Sequence, residues 1–163
     1  MVIKLSPHFS LPEFLRSQEA TRAGLQIEPT EQAVENLTRL CVEVLEPIRD
    51  AVGPITISSG YRPEWLNSRV GGSKTSQHIT GCAADIHCSD KDPYELACIV
   101  RNLKLAALNQ CILEYPPAGW VHVSVAEVGA TPKYQFLTAR LHPTQHRTVY
   151  SAGLSERALN PGR

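Results

Sequence analysis

This sequence has no excess of charge of either sign: Lys plus Arg number 16, and Asp plus Glu number 16. That balance argues against a nucleic-acid binder that works by bulk charge, although a local basic patch is not excluded. No run is long and apolar enough to span a bilayer. The first residues, Met1 to His8, carry no apolar leader or cleavage site. The expectation is therefore a protein made in the cytoplasm without a signal peptide and without membrane insertion. A C-x-x-C pair is also missing, which counts against a cysteine zinc cluster. The five cysteines (Cys41, Cys82, Cys88, Cys98 and Cys111) are odd in number and sit in apolar or helical segments. They read as reduced thiols acting as small hydrophobes. There is no internal repeat and no linker rich enough to divide the chain. What remains is 163 residues, 42% hydrophobic and 20% charged, enough for one globular domain with its own core.

Local signals give the element order. Ser10-Leu11-Pro12-Glu13 looks like a short helix start with a capping box, followed by polar residues as far as Gly24. Thr30 caps the strongest helix, in which Val34, Leu37, Cys41, Val44 and Ile48 recur at three- and four-residue spacing until Gly53-Pro54 ends it. That helix reads as a packing element. Ile55-Thr56-Ile57-Ser58 alternates and predicts a strand. A brief helix from Pro63 to Val70 stops at Gly71-Gly72, and a strand is expected over Ala83 to Cys88. Asp92 caps a helix running to about Leu105. Cys111–Tyr115 and Trp120–Val125 read as two strands of a hairpin. Tyr134 to Ala139 reads as an edge strand, and the tail after Ser151 as polar and loose.

Alternate residues of a strand share a face, so Asp85 and His122 can each point from a strand to one side of a sheet. The loop holding His78 can reach over them. Two imidazoles and a carboxylate suit a zinc ion whose fourth position is kept for water.

These residues lie in motifs that resemble a known family. Ser76-Gln77-His78-Ile79-Thr80-Gly81-Cys82-Ala83-Ala84-Asp85 is similar to the S-x-H-x-x-G-x-A-x-D signature of the zinc D-alanyl-D-alanine carboxypeptidases and related peptidoglycan peptidases. That group includes the Hedgehog-type fold and many phage endolysins, and this chain most resembles the endolysin-like branch. Ser59-Gly60-Tyr61-Arg62, Val70-Gly71-Gly72-Ser73 and Trp120-Val121-His122 resemble the family's other motifs in order. The likeness runs from about Phe9 to Ser124. It implies that His78, Asp85 and His122 ligate Zn2+. It also implies that Arg62 steadies a substrate carbonyl gaining negative charge, or a substrate carboxylate. Ser76, Gln77, Tyr61 and Trp120 are placed at the substrate. Family members often carry a carboxylate three residues before the second motif's His, where this chain has Gly119. Glu114, across the predicted turn, is therefore nominated as general acid/base, with Glu127 as fallback. His87 shares the predicted face of Asp85 and is a candidate to support it, against the plainer reading of an exposed His.

The expected fold is α+β, a small, mainly antiparallel sheet with helices on one face and the site on the other. It forms a single zinc peptidase domain over residues 1–163, with a core over about residues 9–140 and a polar tail over 151–163. The expected activity is hydrolysis of peptide bonds in the stem peptides of bacterial peptidoglycan, by a D-Ala-D-Ala carboxypeptidase or an L-alanyl-D-glutamate endopeptidase, in phage or prophage lysis or in wall remodelling. The expected protein is a monomer that acts at the cell wall if released. Two rivals stand beside it. One is a catalytically silent, zinc-containing binding module on the same fold. The other is a cysteine hydrolase using Cys82 or Cys88.

Overall fold

The structure is a computed structural model and describes residues 1–156. The amino-terminal third is helical. In α1 (Leu11–Phe14) the Ser10 N–H donates to Glu13 Oε1 at 2.8 Å, which closes the predicted capping box. A second helix, α2 (Gln18–Ala23), occupies the stretch read as merely polar. Ser17 Oγ accepts from the Ala20 N–H at 3.2 Å, and Gly24 ends the helix at a φ of 66°. Its signals were a serine cap and a terminal glycine, but its apolar face is too small to show a period.

Thr30 Oγ1 accepts from the Ala33 N–H at 3.1 Å and opens α3 (Glu31–Leu40). The helix continues through one π-helical turn (Cys41–Leu45) into α4 (Glu46–Val52). Pro47 accounts for the wide turn. It has no N–H for the Glu43 carbonyl, and in a regular α-helix its ring would press on that carbonyl. The chain widens instead, and the Glu46 N–H bonds to the Cys41 carbonyl five residues back.

Six strands form one sheet: β1 (Ile55–Ser59), β2 (Ala83–Cys88), β3 (Leu108–Glu114), β4 (Trp120–Val125), β5 (Gln135–Leu141) and β6 (Thr148–Ala152). Their order is β1-β2-β4-β3-β5-β6. The helices α5 (Glu64–Arg69) and α6 (Pro93–Leu103) lie in the β1–β2 and β2–β3 connections. The α+β class stands, but the sheet is mixed rather than mainly antiparallel. β5 runs parallel to β3, because the chain returns from β4 by a long connection instead of a hairpin. Two further expectations change with it. β5 is an interior strand between β3 and β6, not an edge. Ser151 and Ala152 belong to β6, so the ordered domain extends past residue 140. Leu154 packs against the core as well. The rest of the expected tail, residues 157–163, lies outside the described residues.

One face of the sheet is covered by α6 and by the α3–α4 helix. Leu37, Leu40, Val44 and Ile48 meet Ile86, Leu113, Val121 and Val123 there, with Leu96 and Val100 from α6, and all are buried. The opposite face carries the polar residues of the site. The excursion between β1 and β2, residues 60–82, wraps over that second face; Arg62 enters it before α5 and His78 after it.

Candidate metal centre

Antiparallel pairing sets two of the three ligand positions. Asp85 on β2 lies directly opposite His122 on β4, and His122 lies opposite Ile112 on β3. His78 comes from the turn that precedes β2. That turn is fastened from three sides: the Cys82 N–H donates to the Gln77 carbonyl at 3.0 Å, the Arg62 N–H donates to the His78 carbonyl at 3.0 Å, and Asn36 Nδ2 on α3 donates to the Thr80 carbonyl at 2.8 Å. The helix read only as packing therefore also anchors the ligand loop.

The donor atoms converge. His78 Nε2 lies 3.3 Å and His122 Nδ1 lies 3.1 Å from Asp85 Oδ1, and the two nitrogens are 3.2 Å apart. For donors about 2.0–2.1 Å from a tetrahedral ion, the edge between neighbours is about 3.3–3.4 Å. The observed separations fall close to that edge. His78 Nδ1 lies 2.7 Å from the Gly60 carbonyl, which accepts its proton and leaves the Nε2 lone pair facing the other donors. All three side chains are buried. Burial lowers the His78 pKa, opposed by the Asp85 charge, and so favours the neutral imidazole that a metal needs. Burial also works to raise the Asp85 pKa, but the two imidazoles hold it well below the usual carboxylate range. The residues present fit a zinc-sized ion.

Glu114 Oε1 lies 3.9 Å from His122 Nδ1. Burial, reinforced by the Asp85 charge, raises its pKa to about 7 against an ordinary 4.5. Gly119 stands three residues before His122, and the nearby carboxylate comes from the neighbouring strand, where Glu114 pairs with Trp120. Gly119 has no room for a side chain: a Cβ there would run into the Glu114 carbonyl.

A groove of about 580 Å³ runs over these residues. Arg62 lines it, half-buried, with Nε lacking a hydrogen-bond partner. Burial depresses the Arg62 pKa, while the charges of Asp85 and Glu114 oppose that shift. Ser76, Gln77 and Trp120 line the groove too. Gln77 Nε2 donates to the Val125 carbonyl at 3.2 Å, and its Oε1 and Trp120 Nε1 are buried without partners. Three expected contributors sit elsewhere. Tyr61 is 6% exposed and packs in the core cluster, with its N–H donating to the Phe14 carbonyl at 2.9 Å. Glu127 is exposed and interacts with Cys82, and it does not line the groove. His87 bonds Ser58 Oγ at 3.1 Å instead of supporting Asp85. The cysteines do not enter the site either. Cys82 is fully buried, which raises its pKa, and Cys88 Sγ donates to the Val52 carbonyl at 3.8 Å.

A family model described as Peptidase M15 matches residues 7–124, a span that includes His78, Asp85, His122, Arg62 and Glu114. Over 60 residues the chain is 40% identical to the zinc D-Ala-D-Ala carboxypeptidase of Streptomyces albus G. That alignment covers 36% of this chain and 24% of the relative, so the chain spans about a quarter of the curated protein it matches.

Proposed function

The chain belongs to the peptidase M15 family, and on that premise we propose that it is a zinc-dependent peptidase acting on the peptide stems of bacterial peptidoglycan. The observation that carries this reading is the set of three donor atoms 3.1–3.3 Å apart, with a carboxylate of pKa about 7 beside them. His78, Asp85 and His122 would hold zinc, which would supply Lewis acidity to the scissile carbonyl and to the attacking water. Glu114 then takes the proton of the attacking water and passes it to the departing amine. Arg62, half-buried and without an ion pair among the described residues, neutralises charge on the substrate, either the carbonyl oxygen or a terminal carboxylate. The buried Gly60 contact keeps the His78 ring in one orientation throughout.

The bond proposed is the terminal D-alanyl-D-alanine bond, supported by the likeness to the Streptomyces carboxypeptidase and by a cation suited to a chain-end carboxylate. A second reading, an endopeptidase cutting L-alanyl-D-glutamate, is favoured by the groove wall from β6, which gives the substrate room to contact protein on both sides of the metal centre. We assign the biological role to phage or prophage lysis or to wall remodelling, with synthesis in the cytoplasm and action at the wall after release. That assignment rests on the likeness of the motifs to endolysins. Purified peptidoglycan digested with and without zinc and chelator, read by mass spectrometry, tests the reading. Loss of one D-alanine per stem marks the carboxypeptidase, and release of whole stem fragments marks the endopeptidase. Zinc bound at one per chain with no fragments from any wall type would leave a silent binding module instead. His78→Ala or His122→Ala should remove both zinc and hydrolysis while the fold persists.

A further inference from the structure

The groove has two banks that come from opposite edges of the sheet. Arg62 enters from the β1 edge, and the last strand, β6, supplies the far bank. The β5–β6 unit lies beyond residues 7–124, the span that matches the family model. Its contribution is set by register. Glu114 on β3 pairs with Ala139 on β5, and Ala139 pairs with Tyr150 on β6. Trp120, Glu114, Ala139 and Tyr150 therefore form one cross-strand row, and each of its large members lines the groove. Ala139 is fully buried and has only a methyl group, so nothing in the row stands between the Tyr150 ring and Glu114.

The far bank is held firmly. Tyr115 Oη and Thr148 Oγ1 are 2.6 Å apart, and the Tyr115 N–H donates to the Ala139 carbonyl at 2.8 Å. Thr138 Oγ1 donates to the Gly153 carbonyl at 2.8 Å. The Tyr150 hydroxyl, by contrast, makes no hydrogen bond among the described residues, and the residue is 55% exposed. A phenol carried on a fixed strand, unpartnered and facing a catalytic carboxylate across a groove, is available to a ligand rather than to the fold.

We propose that Tyr150 is a substrate-contacting residue, whose phenol hydroxyl hydrogen-bonds the peptide main chain of the stem beside the scissile bond, on the bank opposite Arg62. The inference rests on the proposed peptidase function. Tyr150 and Arg62 then grip the peptide from two sides of the metal centre, and the β5–β6 unit adds a specificity element to the catalytic core of the family.

The test compares wild type with Tyr150→Phe, which removes only the hydroxyl, and with Tyr150→Ala, which removes the ring. The substrate is a synthetic stem pentapeptide ending in D-Ala-D-Ala, with isolated stem-linked peptidoglycan as a second substrate. Zinc content and melting temperature should match wild type in both variants, because Tyr150 packs on an exposed edge strand. The Phe variant should lose about tenfold in kcat/KM, the effect of one neutral hydrogen bond, and the Ala variant more. Full kcat/KM in Tyr150→Phe on both substrates overturns the inference. If wild type cleaves neither substrate, the peptidase reading fails first. The hydroxyl is then judged by calorimetric titration of the zinc-loaded proteins with the same pentapeptide. About tenfold weaker binding by Tyr150→Phe supports it, and equal binding, or none by wild type, overturns it.

Discussion

Glu114 has a side chain 16% exposed beside Asp85 and His122, and burial pushes its pKa to about 7. A general base must be ionised, so kcat/KM should climb with pH through the Glu114 pKa. Glu114→Gln should keep one zinc per chain, lose about 10²–10⁴ in kcat and lose that limb of the profile. Unchanged rates in Glu114→Gln would remove it from the chemistry. The metal-free protein offers a second readout. The unfolded chain releases this proton near 4.5 and the folded chain near 7. Between those values the unfolded state binds fewer protons, so the Glu114 contribution makes stability fall as pH rises, by up to ~3 kcal/mol. The depressed His78 pKa works in the other direction. Subtracting the Glu114→Gln stability profile from that of wild type isolates the Glu114 part by denaturant titration. At this scale the convergence of His78, Asp85 and His122 was legible in the sequence, because each sits in a short motif and strand alternation turns Asp85 and His122 to one face. The place of Glu114 beside His122 was legible only once Gly119 was seen to break the family pattern. Tyr61 was misplaced since the same motif carries a groove residue, Arg62, and a core residue side by side, and adjacent positions do not reveal which way each side chain turns.

At the scale of elements, Gly60 joins β1 to the substrate-side excursion and supports His78 through its carbonyl. A Cβ there would lie 2.6 Å from both the Cα and the carbonyl oxygen of Phe14. Gly60→Ala should therefore push the α1 segment away, costing about 1–3 kcal/mol in denaturant unfolding. Zinc affinity should weaken about 10–100-fold, because the carbonyl that orients His78 shifts with it. Wild-type zinc affinity in this variant would show that the contact does not orient the ligand. The α3–α4 helix gives the contrasting case. Leu40 and Ile48 are fully buried on the face of the sheet away from the ligands. Ile48→Ala should cost about 2–5 kcal/mol and leave zinc stoichiometry unchanged at low temperature. The periodicity of this helix made it legible, but its π turn was not, since one proline is compatible with a break, a kink or a widened turn. β6 was missed for a related reason: Thr148 to Ala152 has intermediate or exposed positions throughout, and no burial alternation marks a short edge strand.

The whole molecule separates stability from chemistry across the sheet. Its apolar core, between the sheet and the helices α3, α4 and α6, is built without any contribution from His78, Asp85 or His122. A metal-dependent mini-domain that unfolds on chelation is therefore not expected here. The parallel β3–β5 pairing also closes the groove from its far side, an arrangement that depends on contacts distant in sequence and so left no local pattern to read. Metal should add stability by mass action on an already folded chain. At a free zinc concentration about a thousand times the dissociation constant, that addition is ~4 kcal/mol. For a domain of this size it corresponds to about 10 °C in Tm. Chelation should lower Tm by about that amount while circular dichroism at 25 °C keeps its native form, and readdition of zinc should restore both Tm and hydrolysis. Collapse of the native spectrum on chelation would show instead that the helix-side core cannot hold the sheet without the ion.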